Sequence, residues 1–239
     1  MASNTVIITA IVIGVIVASV AAALMVSSNG APATTTNQKS APTQSAEQIT
    51  TQLLSPSVAS APALGSDDAK VTIVEFGDYQ CTWCHRWHEG TKDRLVSDYV
   101  NTGKVRFLFK DFPINDLSDR ASSLAAEASY CASDQGKYWE YHDEIYSNWE
   151  GENTGWVTRT SLEQFAHDAG VRDIPAFSGC IDSGKYTSVV RDNYSLARSI
   201  GLDATPSFIV IIEGETPQLM RGAHPYSTFE RVINGAYTG

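Results

Sequence analysis

Positive charge, cysteine and methionine are all scarce in this chain. Its 239 residues carry 17 Lys and Arg against 27 Asp and Glu, a formal net charge of −10. A phosphate backbone wants a basic stripe, so nucleic acid is not the expected partner. The acidic balance suits a soluble, self-repelling surface. Four cysteines are too few for a small fold built from disulfides, but enough for one reactive and one structural pair. Of three methionines, only Met220 lies beyond residue 26, so a haem would find little choice of thioether ligand. Nothing in the sequence sets an oligomeric state.

The first 26 residues also lack charge. Thr5–Val26 is an unbroken apolar run, and about 22 residues at about 1.5 Å rise span roughly 33 Å, a hydrocarbon core. Cleaved signal peptides have a shorter apolar stretch, about 7–15 residues, behind a basic start. Residues 1–26 therefore read as a membrane anchor, with cleavage near Ala21–Ala23 or Gly30 as the alternative. The nearest cation is Lys39, so charge bias does not set the orientation. Residues 27–64 are rich in Ala, Pro, Thr, Ser and Gln and read as a disordered linker. About 38 such residues reach roughly 35 Å. The globular domain is read as residues 65–239.

Val71–Phe76 is a short run of β-branched and apolar residues, the pattern of a buried strand. Gly77–Gln80 turns the chain, Cys81 opens a helix to about Tyr99, and Asn101–Gly103 ends it. Lys104–Phe109 is a second strand. Strand, helix and strand at these lengths form a βαβ unit with parallel strands. Helices then fill an insertion at about 114–200, where Ala-rich and aromatic segments alternate with Gly136 and Gly170. Ser207–Ile212 returns to strand, Gln218–Arg221 makes a hairpin partner, and Tyr226–Asn234 closes the chain as a helix. The class is α/β.

Cys81-Thr82-Trp83-Cys84 carries the chemistry. Two cysteines one turn apart can form a reversible disulfide. The first sits at a helix N-terminus, where unpaired N–H groups and the helix dipole favour a thiolate. That thiolate is the nucleophile of disulfide exchange, and the second cysteine resolves the mixed disulfide. Half of a zinc site is one alternative, but Cys131 and Cys180 have no matching spacing. Cys81-x-x-Cys84-His85 also fits the c-type haem attachment pattern, which would make the chain an electron carrier. The buried strand directly before the motif suits a redox turn better.

The segment Val-Glu75-Phe-Gly-Asp-Tyr-Gln-Cys-Thr-Trp-Cys-His resembles the active-site segment of the DsbA-like family, dithiol oxidases of the thioredoxin superfamily. The resemblance covers about residues 66–238. It extends to the helical insertion, to Asp134–His142, to Ser178–Tyr186, and to Thr205-Pro206 before Ser207-Phe-Ile-Val. It implies a thioredoxin fold with an inserted helical domain. It also implies a cis-proline at Pro206 facing the cysteines, with the Thr205 backbone offered to substrate. Pro206 has no N–H to compete there. Glu75 would be the buried acid below Cys84, with a raised pKa and a proton to exchange. Lys110, at the end of the second strand, is its expected partner.

His85, with Arg86 and His88, would add positive potential near the sulfurs, or be solvated helix residues. Thr82 and Trp83 are expected to shape substrate contact. The family often has Pro and His between its cysteines; their absence here puts the direction of transfer in doubt, not the dithiol chemistry. Cys131 and Cys180 are read as a structural disulfide, with two buried thiols as the alternative. Asn193-Tyr-Ser195 matches a glycosylation sequon, a pattern common by chance.

The expectation is an extracytoplasmic dithiol oxidase using Cys81, Cys84, Glu75 and Pro206. It needs no cofactor and no metal. Its partners would be proteins with free cysteines and a membrane or quinone-linked protein that resets the pair. A reductase or isomerase would use the same residues, and a non-catalytic binding module would tolerate loss of Cys81.

Overall fold

A computed structural model describes residues 45–238. Four strands form one sheet in the order β2-β1-β3-β4. β1 (Val71–Gly77) and β2 (Val105–Asp111) are parallel, as the βαβ reading requires. β3 (Ser207–Ile212) is antiparallel to β1 and to β4 (Gln218–Arg221). All seven β1 residues are buried, because helices cover both faces of the sheet and leave no solvent side for an alternating pattern.

α2 connects β1 to β2. It begins as α-helix at Thr82–Trp87, widens to a π-helical turn at His88–Lys92, returns over Asp93–Leu95, and ends in a second π-helical turn at Val96–Val100. It stops where Gly103, at φ +75°, donates its N–H to the Val100 carbonyl. Trp87, Leu95 and Val100 pack with Val71, Ile73, Phe107 and Phe208, and with Phe229 and Ile233 of the closing helix.

The insertion contains α3 (Ala121–Ser133), α4 (Tyr138–Ser147), α5 (Arg159–Asp168), α6 (Ile174–Asp182) and α7 (Thr187–Ser199). The cap of α5 is Thr158, and Ser161 answers it reciprocally in a capping box. Cys131 and Cys180 form a disulfide between α3 and α6, across a sequence separation of 49. Closing a loop of that size contributes about 4 kcal/mol in the chain-entropy picture. α8 (Tyr226–Thr238) lies on the α2 side of the sheet.

The linker reading needs correction. Residues 46–54 form α1 (Ala46–Leu54), started by a capping box between Ser45 and Gln48. Leu53 and, in part, Ile49 of this helix bury against the sheet. Leu53 packs beneath Val74, Phe76, Leu108 and Leu196, on the sheet face away from α2. Its neighbours 55–64 are tied down as well. The Trp139 indole donates to the Pro62 carbonyl at 2.8 Å, and Leu64 bridges to Phe107. The folded unit therefore starts about twenty residues before the boundary read from composition. The apolar run Thr5–Val26 lies outside the described residues. Among those described, no helix is long and apolar enough to cross a membrane.

Candidate active site

The turn after β1 is built on Asp78. Its side chain accepts the N–H of Gln80 and the N–H of Asn115, each at 2.8 Å. Its carbonyl accepts the N–H of Cys81 at 3.0 Å. Burial pushes the Asp78 carboxyl up to about 7, against those N–H donors. Gly77 is required by close approach, since a Cβ there would sit 2.4 Å from the Phe109 ring and 3.3 Å from Glu75 Oε1. The turn delivers Cys81 to the N-cap of α2, where its own side chain makes no cap bond. Glu152, from the insertion, takes that place: Oε2 accepts from the Thr82 N–H at 3.3 Å and from its hydroxyl at 3.4 Å.

The two thiols sit in opposite environments. Cys81 keeps a sliver of exposure, 5%, while Cys84 has none. A hydrogen bond from Cys84 lowers the Cys81 pKa to about 6. Burial opposes this, and the N–H groups of Cys84 and Trp83 add to it. Burial drives the Cys84 thiol well above its ordinary value, and the charges of Cys81 and Glu75 drive it further. Cys81 is therefore the thiolate and the sulfur a partner reaches; Cys84 holds its proton underneath.

Thr205-Pro206 is a cis peptide bond, and the Thr205 carbonyl lies 3.5 Å from Cys81 Sγ. The Thr205 hydroxyl makes no hydrogen bond among the described residues. Trp83 is 55% exposed, with the Arg86 guanidinium 4.7 Å from its ring centroid. His85 stacks on Trp149 at 4.5 Å, and its two nitrogens meet the Tyr146 carbonyl at 3.1 Å and Glu89 at 3.2 Å. His85 thus ties α2 to α4 and the loop after it. With its ring so engaged and Cys84 sealed, the motif does not fit a covalently attached haem. The Cys131–Cys180 disulfide likewise consumes the thiols a Cys₄ zinc site would need.

Glu75 is buried on β1, on the α2 side of the sheet. Burial raises its carboxyl pKa well above the usual carboxylate range, and the nearby Lys92 charge opposes that rise. The expected partner, Lys110, is elsewhere. Glu75 aligns with Phe109 across the parallel pair, while Lys110 aligns with Phe76. Side chains alternate faces along a strand, so Lys110 lies on the opposite side of the sheet. There its ammonium donates to the Ser55 carbonyl at 2.9 Å, and burial lowers its pKa to about 8. The cation on the Glu75 side is Lys92, which single-strand reasoning missed. Its signal was helical: Cys84, His88 and Lys92 follow at i, i+4 and i+8 on one face. Asn193 of the sequon is buried, donating to Asp111 and to the Tyr130 hydroxyl, each at 3.0 Å, so it offers no acceptor for a glycan.

Comparison with known proteins agrees with this geometry. The family model described as "Thioredoxin" matches residues 57–234. The probable disulfide bond formation protein D of Bacillus anthracis is 31% identical over 149 residues, 62% of this chain and 68% of that protein. Disulfide bond formation protein D of Bacillus subtilis is 28% identical over 155 residues, 65% and 69% of the two chains. The oxidised BdbD structure from Bacillus subtilis superposes with a TM-score of 0.67 at 25% identity, covering 77% of this chain and 96% of that one. The α-DsbA1 structure of Wolbachia pipientis has the same fold, with a TM-score of 0.65, 23% identity, and 78% and 94% coverage.

Proposed function

This chain belongs to the thioredoxin family, among its DsbA-like thiol–disulfide oxidoreductases, and we propose that it is a disulfide donor working outside the cytoplasm from a membrane anchor at residues 1–26. The observation that carries the direction is the contrast between the two thiols. A pair whose reduced form is stabilised, here by a Cys81 pKa of about 6, is the stronger oxidant.

The reaction runs in two exchanges. A substrate thiolate attacks Cys81 of the oxidised pair; a substrate–Cys81 bond forms, the Cys81–Cys84 bond breaks, and Cys84 leaves. Protonated Glu75 beneath it supplies the proton that makes Cys84 a thiol. A second substrate thiolate then attacks the substrate sulfur of the mixed disulfide. Cys81 leaves as the stable thiolate, and the substrate keeps the new disulfide. The Thr205 carbonyl is the strand-like contact for the incoming chain, and Trp83 is its apolar one. The two electrons left on the pair pass to a membrane or quinone-linked partner.

Two observations support the location. A structural disulfide between Cys131 and Cys180 suits an oxidising compartment, and the Thr5–Val26 run has the length of a membrane span. Labelling intact cells with a membrane-impermeant thiol reagent should modify reduced Cys81. Protection until lysis would put the domain inside.

The direction is tested by titrating the full chain in glutathione buffers, following fluorescence of Trp83 and Trp87. A potential of about −120 to −200 mV identifies a donor. A value near about −270 mV would make the same site a reductase.

A further inference from the structure

Behind the cysteines lies a buried charge cluster that the two exchanges leave unused. Lys92 is 3% exposed, and its ammonium sits 2.6 Å from an Asp143 oxygen. His88 Nε2 reaches the same oxygen at 3.1 Å. The His142 ring is buried beside them. One nitrogen meets the Tyr79 hydroxyl at 3.0 Å, and the other, Nε2, has no partner among the described residues. Ligand atoms of His88, His142 and Asp143 fall within 4.8 Å of one another. That spacing could suit a cation, but the Lys92 ammonium already holds the Asp143 oxygen a metal would take.

Lys92 acts on two acids of different character: it is ion-paired to Asp143, and it is buried on α2 over the sheet face that carries Glu75. Asp143, half in solvent, is a settled carboxylate: burial opposes it, but His88, His142 and Lys92 hold it well below the usual range. Glu75 is sealed from water, and Lys92 is the main positive charge acting on it. We propose that Lys92 is a positioning residue of thiol exchange, the cation that sets proton traffic between Glu75 and Cys84, and that Asp143, itself held by His88 of α2, grips it from the insertion side. The cluster then does more than fasten α4 to α2. The share of Lys92's field that Asp143 takes is lost to Glu75, so the insertion sets how readily the acid gives its proton to Cys84.

The titratable and charged groups around Lys92 come from three elements. β1 contributes Glu75. α2 contributes Cys84, His88 and Asp93, the last exposed at 3.9 Å. α4 contributes His142, Asp143 and Tyr146, the last of which feels Glu75 and Cys84. The buried face of α8 carries Tyr226, which donates instead to Asp98, further along α2.

The test is a stopped-flow pH profile on the full chain, with reduced protein mixed with glutathione disulfide. Cys81 attacks and releases one glutathione. Cys84 then passes its proton to Glu75, attacks the Cys81 sulfur and releases the second. This second step is the readout. Lys92→Met removes the field, and its half-maximal pH should rise by about one unit or more. Lys92→Arg should restore most of the profile. Asp143→Asn, which keeps Lys92 but removes its competitor, should move the profile the other way. In a Glu75→Gln background Lys92→Met should shift nothing. The proposal falls if Lys92→Met leaves the profile in place, or shifts it equally with Gln at 75. Should Lys92→Met not fold, Asp143→Asn decides: a downward shift supports the proposal, and an upward one or none overturns it. The inference rests on dithiol exchange at Cys81 and Cys84 but not on its direction, so a reductase-like potential would leave it standing.

Discussion

The molecule holds its two cysteine pairs in opposite ways. Cys81 and Cys84 sit one turn apart at the head of a helix, in one local segment, and stand as thiols of unequal acidity. Cys131 and Cys180 are 49 positions apart and bolt α3 to α6 inside the insertion. The first pair is arranged so that one sulfur leaves easily and meets a partner. The second is packed among side chains and closes a long loop. Reactivity here is a matter of where a cysteine meets helix ends, acids and solvent. Stability is a matter of how much chain the bond restrains.

The largest effect should come from the reactive pair. Cys81→Ser should bring thiol exchange down to the uncatalysed rate. Cys84→Ser should instead accumulate a mixed disulfide on Cys81, visible by intact mass. If Cys84→Ser traps nothing and Cys81→Ser does, the roles of the two sulfurs are reversed.

Next is the structural pair. Replacing both Cys131 and Cys180 by Ala should cost about 4 kcal/mol in denaturant unfolding. The potential of the Cys81–Cys84 pair should stay where it was. A large move in that potential would dissolve the division of labour between the pairs.

The acidity of Cys81 makes a third, smaller difference. Its folded pKa, about 6, lies below its ordinary value. The resulting stabilisation of reduced protein is therefore fully present above the unfolded pKa and is lost as pH falls through about 6. The melting temperature of reduced protein, relative to oxidised, should rise between pH 6 and 9. Over the same range the potential should fall by about 30 mV per pH unit, steepening to about 60 mV below pH 6 as Cys81 takes up its proton. A single slope throughout would remove the contrast between the thiols.

The smallest effect concerns the rim. Trp83→Ala should lower kcat/KM for protein substrates roughly fivefold, a contact of about 1 kcal/mol, and leave exchange with glutathione unchanged. An equal loss with both would move Trp83 from substrate contact to support of the turn.

Much of this was legible in the chain before any coordinates. β1, the turn and α2 read directly, because each is a local pattern: a β-branched run and two cysteines one turn apart. The cis bond at Thr205-Pro206 came from the family resemblance, since a proline before a strand also fits a trans bond. The parallel pairing of β1 with β2 followed from the βαβ length. What did not read was register. Along the sequence Lys110 is the partner offered for Glu75, and Lys92 goes unnoticed. One residue of strand alignment sends Lys110 through the sheet, and a wide helical turn brings Lys92 and His88 to the buried side. Composition also misjudged residues 45–64. Small polar residues can dock on a sheet when their carbonyls and a few apolar side chains find partners, and neither is visible in an average.

α1 has a mechanical consequence. The chain enters the fold on the back of the sheet, where Arg106 and Lys110 hold the carbonyls of Leu54 and Ser55 at 2.7 and 2.9 Å. A pull on the N-terminal end is therefore shared by those two grips and by the Leu53 contacts. It enters on the face opposite α2, so a load taken up there does not bend the turn that carries Cys81.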